Sequence, residues 1–135
     1  MISFKKKENK KLSNNFYSDE FSCPCTKCDN DIQYIAQELV DKLQKIRDKY
    51  GKSIKITSGY RCPSHNLEVG GVPASSHMAG IAADISPSLV TLDDLDTVYE
   101  LCYNEFNNIG DGRSKKFIHV DIRPSKQNGK RHWIY

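Results

Sequence analysis

The amino-acid sequence predicts an α+β fold, with a small, mainly antiparallel sheet that has helices packed on one side. Two segments repeat apolar residues at intervals of three and four, which indicates amphipathic helices. Three shorter segments are apolar or alternate between apolar and polar residues, which indicates strands. Helices that cover one face of such a sheet leave the other face open. A chain of 135 residues is long enough for one such domain and too short for two.

The chain begins with a polar, lysine-rich segment. Residues 1–15 predict a flexible arm, because this composition has little apolar surface to bury. Residues 16–135 then form the single domain. Its first element is a helix from Asp31 to Tyr50, whose apolar residues share one face: Ile32, Ile35, Leu39, Leu43, Ile46 and Tyr50. Asp29 or Asn30 is the expected N-cap. Gly51 is expected to end the helix at its C-terminus in the left-handed backbone conformation.

The periodicity changes after Gly51. Ile54 and Ile56 alternate with polar neighbours, which predicts a short half-buried strand. From Ser58 to Ser76 the chain is rich in Gly, Pro, Ser and Asn. An irregular segment of this length inside a compact domain is usually functional or disordered.

The second half of the chain combines further strands with a second helix. In chain order we predict a strand at residues 81–85, a helix from Thr91, a turn marked by Gly110 and Gly112, a strand at residues 116–122, and a C-terminal edge segment with Trp133 and Tyr135. Acidic residues in the first turn of the second helix suit its positive end.

Bulk composition excludes several classes of function. The net charge of +3 comes largely from lysines near the N-terminus, a pattern that more often marks a solvated tail than a nucleic-acid surface. No apolar stretch approaches the roughly 18 residues of a membrane helix. The N-terminus also lacks the apolar segment of a secretory signal. We therefore expect a protein that is made in the cytoplasm and binds no nucleic acid, and that reaches any external target through lysis or delivery in an assembly.

The cysteines allow several states. Cys23, Cys25 and Cys28 are clustered, whereas Cys62 and Cys102 stand alone. The clustered thiols can supply part of a structural zinc site, with Cys62 or a histidine as the fourth ligand. Reduced thiols and disulfides in a loop are the alternatives. Because five is an odd number, not all the cysteines can pair within one chain.

The chemistry-bearing residues lie on and near the two later strands. Asp84 lies on the face away from the core in the earlier strand, and His119 and Asp121 do so in the later one. His77 comes just before the earlier strand. If the strands are neighbours, His77, Asp84 and His119 converge as three zinc ligands. Two histidines and a carboxylate with an open fourth position are typical of a catalytic zinc, because structural sites are usually closed.

Four motifs closely resemble those of the D-Ala-D-Ala carboxypeptidase-like zinc peptidases. They are Ser58-Gly59-Tyr60-Arg61, Gly70-Gly71-Val72, the segment from Ser75 to Asp84, and His119-Val120-Asp121. The resemblance covers residues 16–135, and its Ser-x-His-x-x-Gly-x-Ala-x-Asp string is highly specific. The wider fold class includes lysostaphin-type enzymes and the hedgehog N-terminal domain.

This resemblance implies a peptidoglycan peptide as substrate and a zinc ion bound by His77, Asp84 and His119. The implied reaction is hydrolysis of a stem-peptide or cross-link amide bond, by a D,D-carboxypeptidase, a D,D-endopeptidase or an L-Ala-D-Glu endopeptidase. Cell-wall hydrolases of this kind occur in bacteria and in phages, where they act as endolysins or virion-associated enzymes. The expected place of action is therefore the cell wall, after lysis or as part of a phage particle.

The general base is the point at which this chain departs from many relatives. Those relatives carry an acidic residue three positions before the last histidine ligand, where this chain has Lys116. Asp121 shares the face of the site and is the best remaining candidate for the base. Arg61 is expected to stabilise the oxyanion or hold a substrate carboxylate. Ser76 and Tyr60 are expected to hydrogen-bond near the site, although Tyr60 fits a core position equally well.

Two other functions fit parts of the sequence. A catalytically inactive zinc-binding module, such as a structural or wall-binding component of a virion, would keep the ligands and would explain the missing acidic residue. A redox or zinc-ribbon protein built on the clustered cysteines would leave the histidine-bearing strands unexplained. We therefore predict a zinc metallopeptidase that acts on peptidoglycan, with the inactive module as the alternative.

Overall fold

A computed structural model describes residues 1–28, 32–124 and 129–135. The strands and helices in chain order are β1 (Ile2–Lys5), β2 (Ile32–Ile35), α1 (Gln37–Tyr50), β3 (Ile54–Ser58), α2 (Pro63–Glu68), β4 (Ala82–Pro87), α3 (Leu92–Glu105), β5 (Asn108–Gly112), β6 (Phe117–Asp121) and β7 (Arg131–Ile134). Short 3-10 turns occupy Ser18–Phe21 and Arg113–Lys115.

A five-stranded sheet with the strand order β3-β4-β6-β5-β7 forms the centre of the domain. Its neighbouring strands are antiparallel except for the outer pair, β5 and β7, which is parallel. β1 and β2 form a separate two-stranded antiparallel sheet. The predicted α+β class with a mainly antiparallel sheet is therefore confirmed.

The main core lies between one face of the five-stranded sheet and the two long helices. α1 and α3 contact each other, and their buried side chains join those of the strands in one apolar cluster. The helices contribute Leu39, Val40, Leu43, Ile46, Val98 and Cys102, and the strands contribute Ile54, Ile56, Ala83, Ile85, Ile109, Ile118 and Val120. Because side chains alternate along a strand, Asp84 and His119 face the side of the sheet that these helices leave open.

The ends of the two long helices follow the sequence signals. Gly51 ends α1 in the left-handed conformation, with φ 76°, as predicted. Thr91 caps α3, where its side chain accepts a hydrogen bond from the backbone N–H of Asp94. The proposed caps Asp29 and Asn30 lie outside the described residues. In the described part of the chain, no helix combines the length and the apolar character needed to cross a bilayer.

The start of α1 differs from the prediction. The helix begins at Gln37 rather than at Asp31, and the residues before it form β2. Gln33 is fully buried whereas Tyr34 is 41% exposed, an alternation that suits a strand and not a helix. Pairing with β1, about thirty residues earlier in the chain, therefore overrides the local helical spacing.

Part of the segment predicted as a flexible arm is a strand. β1 pairs with β2 in the register that places Ile2 opposite Ile35. Phe4 is 2% exposed and belongs to the apolar cluster, and Ile2 packs against that cluster. These two apolar residues, rather than the lysines around them, determine how the segment packs.

The segment with Gly110 and Gly112 is the strand β5, so the prediction of a turn there was wrong. All five residues of β5 are buried between β6 and β7. A Cβ on Gly110 would lie only 2.6 Å from the ring of Tyr135, and one on Gly112 would collide with the ring of Phe117. These glycines therefore make room for aromatic rings on the sheet. The predicted C-terminal edge segment is confirmed as β7.

The long segment from Ser58 to Ser76, predicted to be irregular, contains the short helix α2. Proline at the start of this helix suits the first turn, and Cys62 is the N-cap. The sulfur of Cys62 accepts a hydrogen bond from the backbone N–H of His65. The remainder of the segment has no regular structure and borders the open face of the sheet.

Candidate metal centre

Three metal-binding side chains meet on the open face of the sheet. Asp84 of β4 and His119 of β6 are direct cross-strand partners. His77 comes from the loop before β4, and its ring centroid lies 5.2 Å from that of His119. Nε2 of His77 lies 3.5 Å from Oδ1 of Asp84, and Nδ1 of His119 lies 2.9 Å from the same oxygen. The predicted convergence of these three residues is therefore present in the fold.

A sharp bend before β4 brings His77 over Asp84. Gly80 adopts a φ of 72°, which side chains of L-residues rarely tolerate. A Cβ on Gly80 would also lie 2.5 Å from the carbonyl oxygen of Tyr34. The N–H of Gly80 donates to the carbonyl of His77 at 3.3 Å, which closes the bend. Glycine at this position is thus a requirement of the site geometry.

The backbone fixes one ring nitrogen of His77. Nδ1 lies 2.8 Å from the carbonyl oxygen of Gly59 and donates to it, because a carbonyl only accepts. In the neutral ring this leaves the lone pair on Nε2, the nitrogen that faces Asp84. His77 is 3% exposed, so the ring is held in this orientation by its surroundings. Metal-binding histidines typically make a hydrogen bond with their outer nitrogen, which is the ring nitrogen that points away from the metal.

A carboxylate fixes the outer nitrogen of His119. Nε2 of this ring lies 2.8 Å from Oδ2 of Asp121, which leaves Nδ1 to face Asp84. Asp121 is fully buried, and its Oδ1 accepts hydrogen bonds from the backbone N–H and Nε of Arg123 at 3.1 Å and 3.0 Å. Asp121 therefore lies behind the imidazole, on the side opposite the other two candidate ligands.

Asp84, His119 and Asp121 shift one another's pKa values. Burial opposes ionisation of Asp84, but hydrogen bonds with His119 and His77 outweigh it and hold the pKa of Asp84 well below its usual range. Burial also disfavours the charged form of His119, yet Asp121 and Asp84 together raise the pKa of this imidazole. For Asp121, the contacts with His119 and Arg123 likewise outweigh burial and lower the pKa of the carboxyl group. Both carboxylates are held as anions, which favours a cation at this position.

The donor atoms suit a zinc ion. His77, Asp84 and His119 offer two imidazole nitrogens and one carboxylate oxygen, and these atoms lie within 4.8 Å of one another. Gly59 and Asp121 occupy the outer nitrogens, so the remaining nitrogen of each ring points to the shared centre. This combination of donors is that of three-ligand zinc sites, in which a further coordination position takes water or substrate.

The three residues form the floor of an open cavity of about 680 Å³. A cavity of this size can enclose a small ligand or a short stretch of peptide. The walls that matter for recognition are Arg61, Ser76, Phe117, Arg131, Trp133 and Tyr135. The cavity thus combines cationic side chains with aromatic surfaces above the candidate metal ligands.

Arg61 reaches the cavity from the loop that follows β3. Its Nη1 donates to Oδ1 of Asn66 at 3.0 Å, and Nδ2 of Asn66 donates to the carbonyl of Val72 at 2.9 Å. Asn66 is 3% exposed. A Cβ on Gly71 would collide with both Arg61 and Asn66. Asn66 therefore ties the guanidinium group to the glycine-containing loop that borders the cavity.

The structure brings together most of the residues predicted for the site. Arg61, Ser76 and Asp121 line the cavity with the three candidate ligands. Tyr60 is not among the lining residues. It lies towards the cysteine cluster, where burial and then the thiol of Cys62 raise the pKa of its phenol.

Several residues at the site escaped the sequence analysis, among them Trp133, Arg123 and Asn66. The Trp133 ring centroid lies 5.4 Å from that of His119, and the guanidinium of Arg123 lies 5.5 Å from the Trp133 ring. Arg123 extends the alternation of His119 and Asp121, so the strand pattern was a signal for it. Asn66 had no such signal, because its position relative to the cavity depends on how α2 packs.

A comparison with known protein families gives a match over most of the chain. The sequence profile of a family described as Peptidase M15 matches residues 14–121. The matched span includes the three candidate ligands together with Arg61 and Asp121. No curated protein sequence matches the chain significantly.

Proposed function

The chain belongs to the peptidase M15 family, in agreement with its resemblance to the D-Ala-D-Ala carboxypeptidase-like enzymes, and from this premise we propose that it is a zinc-dependent peptidoglycan peptidase. In this proposal, the enzyme hydrolyses an amide bond of a stem peptide or a cross-link, as a D,D-carboxypeptidase or an endopeptidase. The proposed ligands of the zinc ion are His77, Asp84 and His119.

One observation carries the proposal. Nε2 of His77 and Nδ1 of His119 both face Oδ1 of Asp84 at the floor of a cavity that is open to a substrate. The outer nitrogens of both rings are already occupied by the Gly59 carbonyl and by Asp121. A purely structural zinc site would be enclosed by four protein ligands, whereas only three donors meet here among the described residues.

The side chains around the ligands have distinct proposed roles. A zinc ion bound there supplies a Lewis acid that polarises the scissile carbonyl and activates the hydrolytic water. Arg61 lines the same cavity and presents a guanidinium group that can stabilise the developing oxyanion or hold a substrate carboxylate. Ser76 lines the cavity as well and is proposed to hydrogen-bond the substrate. Tyr60 is not part of this proposal, because it lies towards the cysteine cluster.

The position of Asp121 favours a role other than that of the base. Its carboxylate contacts the nitrogen of His119 that points away from Asp84, and Arg123 occupies its other oxygen. A general base must reach the proton that it accepts from the hydrolytic water, either directly or through one water. We therefore propose Asp121 as a positioning residue, which orients His119 and increases the basicity of its inner nitrogen.

Charge and shape of the cavity support a peptidoglycan peptide as substrate. Stem peptides carry free carboxylates, and Arg61 and Arg131 both line the cavity. Phe117, Trp133 and Tyr135 add aromatic surface against which a short peptide can pack. We propose that the enzyme is encoded by a phage or a bacterium and acts on the cell wall, after lysis or as part of a phage particle.

A second candidate function is a catalytically inactive zinc-binding module, for example a wall-binding component of a virion. Two observations favour it. Lys116, at the position where many relatives carry an acidic residue, is exposed, and it adopts a left-handed conformation with φ 65°. Asp121 also lies near the ligands, but its two carboxylate oxygens accept hydrogen bonds from His119 and Arg123.

Digestion of purified peptidoglycan separates the two functions. The wild-type chain, loaded with zinc, is expected to release peptides whose new termini, identified by mass spectrometry, define the bond that is cut. His77→Ala is expected to lose both this release and one bound zinc ion per chain. His132→Ala is the matched control, since His132 packs against Tyr99 and Tyr103 of α3 and does not line the cavity. Zinc binding without any released peptide would support the inactive module.

A further inference from the structure

Four cysteines converge at a second position, apart from the candidate active site. Cys23, Cys25 and Cys28 come from the loop after the first 3-10 turn, and Cys62 is the N-cap of α2. Their sulfur atoms all lie within 4.8 Å of one another. We propose that these cysteines hold a structural zinc ion, so that the protein contains a second metal site beside the one formed by the histidines and Asp84.

The distances between sulfurs suit a tetrahedral metal site. Sulfur atoms bound to zinc at about 2.3 Å in a tetrahedron lie about 3.8 Å from one another. Here the sulfur of Cys23 lies 3.7 Å from the sulfur of Cys62 and 3.5 Å from that of Cys25. The sulfur of Cys25 lies 3.4 Å from that of Cys62 and 3.3 Å from that of Cys28. A disulfide requires about 2.05 Å, and none of the five cysteines is in a disulfide.

The surroundings of the cysteines also suit a zinc ion bound by thiolates. Gln33, a fully buried polar residue, accepts a hydrogen bond from the N–H of Cys23 at 2.8 Å and directs its Nε2 to the sulfur of Cys28 at 3.6 Å. The backbone N–H of His65 donates to the sulfur of Cys62 at 3.4 Å. Donors of this kind hold metal-bound sulfurs in place and moderate their charge.

A cation lies beside the same cluster. Four thiolates around a divalent ion leave a net negative charge, which needs compensation when the site is largely buried. The ammonium group of Lys6 contacts the carbonyl of Cys25 and lies beside the thiol of Cys28. This lysine belongs to the N-terminal segment, so the cluster also gives one of the early lysines a defined partner.

The proposed ion would connect two segments that support the active site. The cysteine loop follows Phe21, whose carbonyl accepts a hydrogen bond from the N–H of Tyr60 at 2.8 Å. On the other side, Cys62 comes directly after Arg61 and three residues after Gly59, which holds His77. A zinc ion shared by both segments would fix their distance and thereby stabilise the loop that positions Gly59 and Arg61.

The fifth cysteine provides an internal control. Cys102 is fully buried in the apolar core between α3 and the sheet, and burial raises the pKa of its thiol. Among the described residues, the group of cysteines close enough to share an ion does not include it. Cys102→Ala is therefore expected to leave the metal content unchanged.

Two measurements on the wild-type chain test the proposal without any substitution. The chain, purified in full and without a chelator, is expected to contain about two zinc ions. Alkylation in denaturant without a reductant is expected to modify all five cysteines. Fewer modified cysteines would show disulfides and overturn the proposal, as would iron in place of zinc.

Cobalt distinguishes the two sites in the same protein. Replacement of zinc by Co²⁺ is expected to give a thiolate-to-cobalt charge-transfer absorption, which a site of nitrogen and oxygen ligands does not produce. The double variant Cys25→Ser, Cys28→Ser is expected to lose this absorption and one zinc ion per chain, whereas His77→Ala loses one zinc ion and keeps the absorption. If the double variant does not fold, the cysteine site is tested by the charge-transfer absorption of the wild type and of Cys102→Ala, which are both expected to show it. A wild type without the absorption overturns the cysteine site, whereas unchanged zinc in His77→Ala overturns only the proposed active site.

Discussion

Asp121 accepts a hydrogen bond from Nε2 of His119 over 2.8 Å, while the other nitrogen of this ring faces Asp84 at 2.9 Å. The imidazole thus lies between two carboxylates that have different positions relative to the cavity. Asp84 shares the centre formed with His77, and Asp121 lies behind the ring. This relationship separates a proposed metal ligand from a residue that orients a ligand.

Asp121→Asn is expected to weaken zinc binding at the histidine site by about 10- to 100-fold, because the amide keeps the shape of the side chain but not the charge that fixes the His119 ring. The affinity is measured from the activity that returns when metal-free protein is titrated with buffered zinc. Asp111→Asn is the control, since Asp111 is another buried aspartate and pairs with Arg113 in the 3-10 turn that follows β5. A large fall in kcat with unchanged zinc affinity would instead identify Asp121 as the base.

Arg61→Ala is expected to lower kcat/KM for peptidoglycan fragments by about 100-fold or more, because the cavity loses the guanidinium group that stabilises an oxyanion or holds a carboxylate. The zinc content should not change, since Arg61 is not among the proposed ligands. Arg61→Lys keeps the charge but not the planar fork and should recover only part of the activity. Arg47→Ala on α1 is the control. Full activity of Arg61→Ala would remove this residue from the mechanism.

Stability should depend on pH through the pair formed by Asp111 and Arg113. Hydrogen bonds from Arg113 hold the pKa of Asp111 below its usual range. The resulting stabilisation is present above about pH 4, the pKa of aspartate in an unfolded chain. It is lost as the pH falls through the lower pKa of the folded state. In urea titrations, Asp111→Asn should unfold more easily than the wild type at pH 7, and this difference should vanish in acid. A difference that does not depend on pH would contradict the pairing.

The sequence predicted the floor of the site because two short strands alternate clearly. Ile118 and Val120 face the core, which leaves His119 and Asp121 on the other face, and the same rule applies to Asp84 in β4. Only the pairing of β4 with β6 had to be assumed, and the register places Asp84 opposite His119. Local patterns were sufficient here because each strand carries its own signal.

Other features depend on contacts between distant segments, which no local pattern contains. Ile32 and Ile35 have a spacing that suits a helix as well as a strand, and the pairing with β1 decides between them. Glycine at position 110 suggested a turn, but Gly110 lies in the strand β5, where it pairs with His119 of β6 and Trp133 of β7. Asn66 likewise gains its role from how α2 packs beside Arg61.

Gly59→Ala should damage both the fold and the metal site, because Gly59 has no space for a side chain and holds His77. A Cβ there would lie 2.6 Å from Cα and 2.7 Å from the carbonyl oxygen of Phe21, and backbone cannot move aside as a flexible side chain can. We expect a loss of about 1–3 kcal/mol in the free energy of unfolding. Zinc binding should also weaken, since the Gly59 carbonyl accepts the hydrogen bond of His77 Nδ1.

Gly51→Ala is the matched control. Gly51 has φ +76° with no atom within 4 Å of a Cβ, so its substitution should cost about 1–2 kcal/mol without any change in zinc affinity. Denaturant titration and zinc competition on both variants measure the two effects, and equal zinc affinities would show that the Gly59 carbonyl does not position His77.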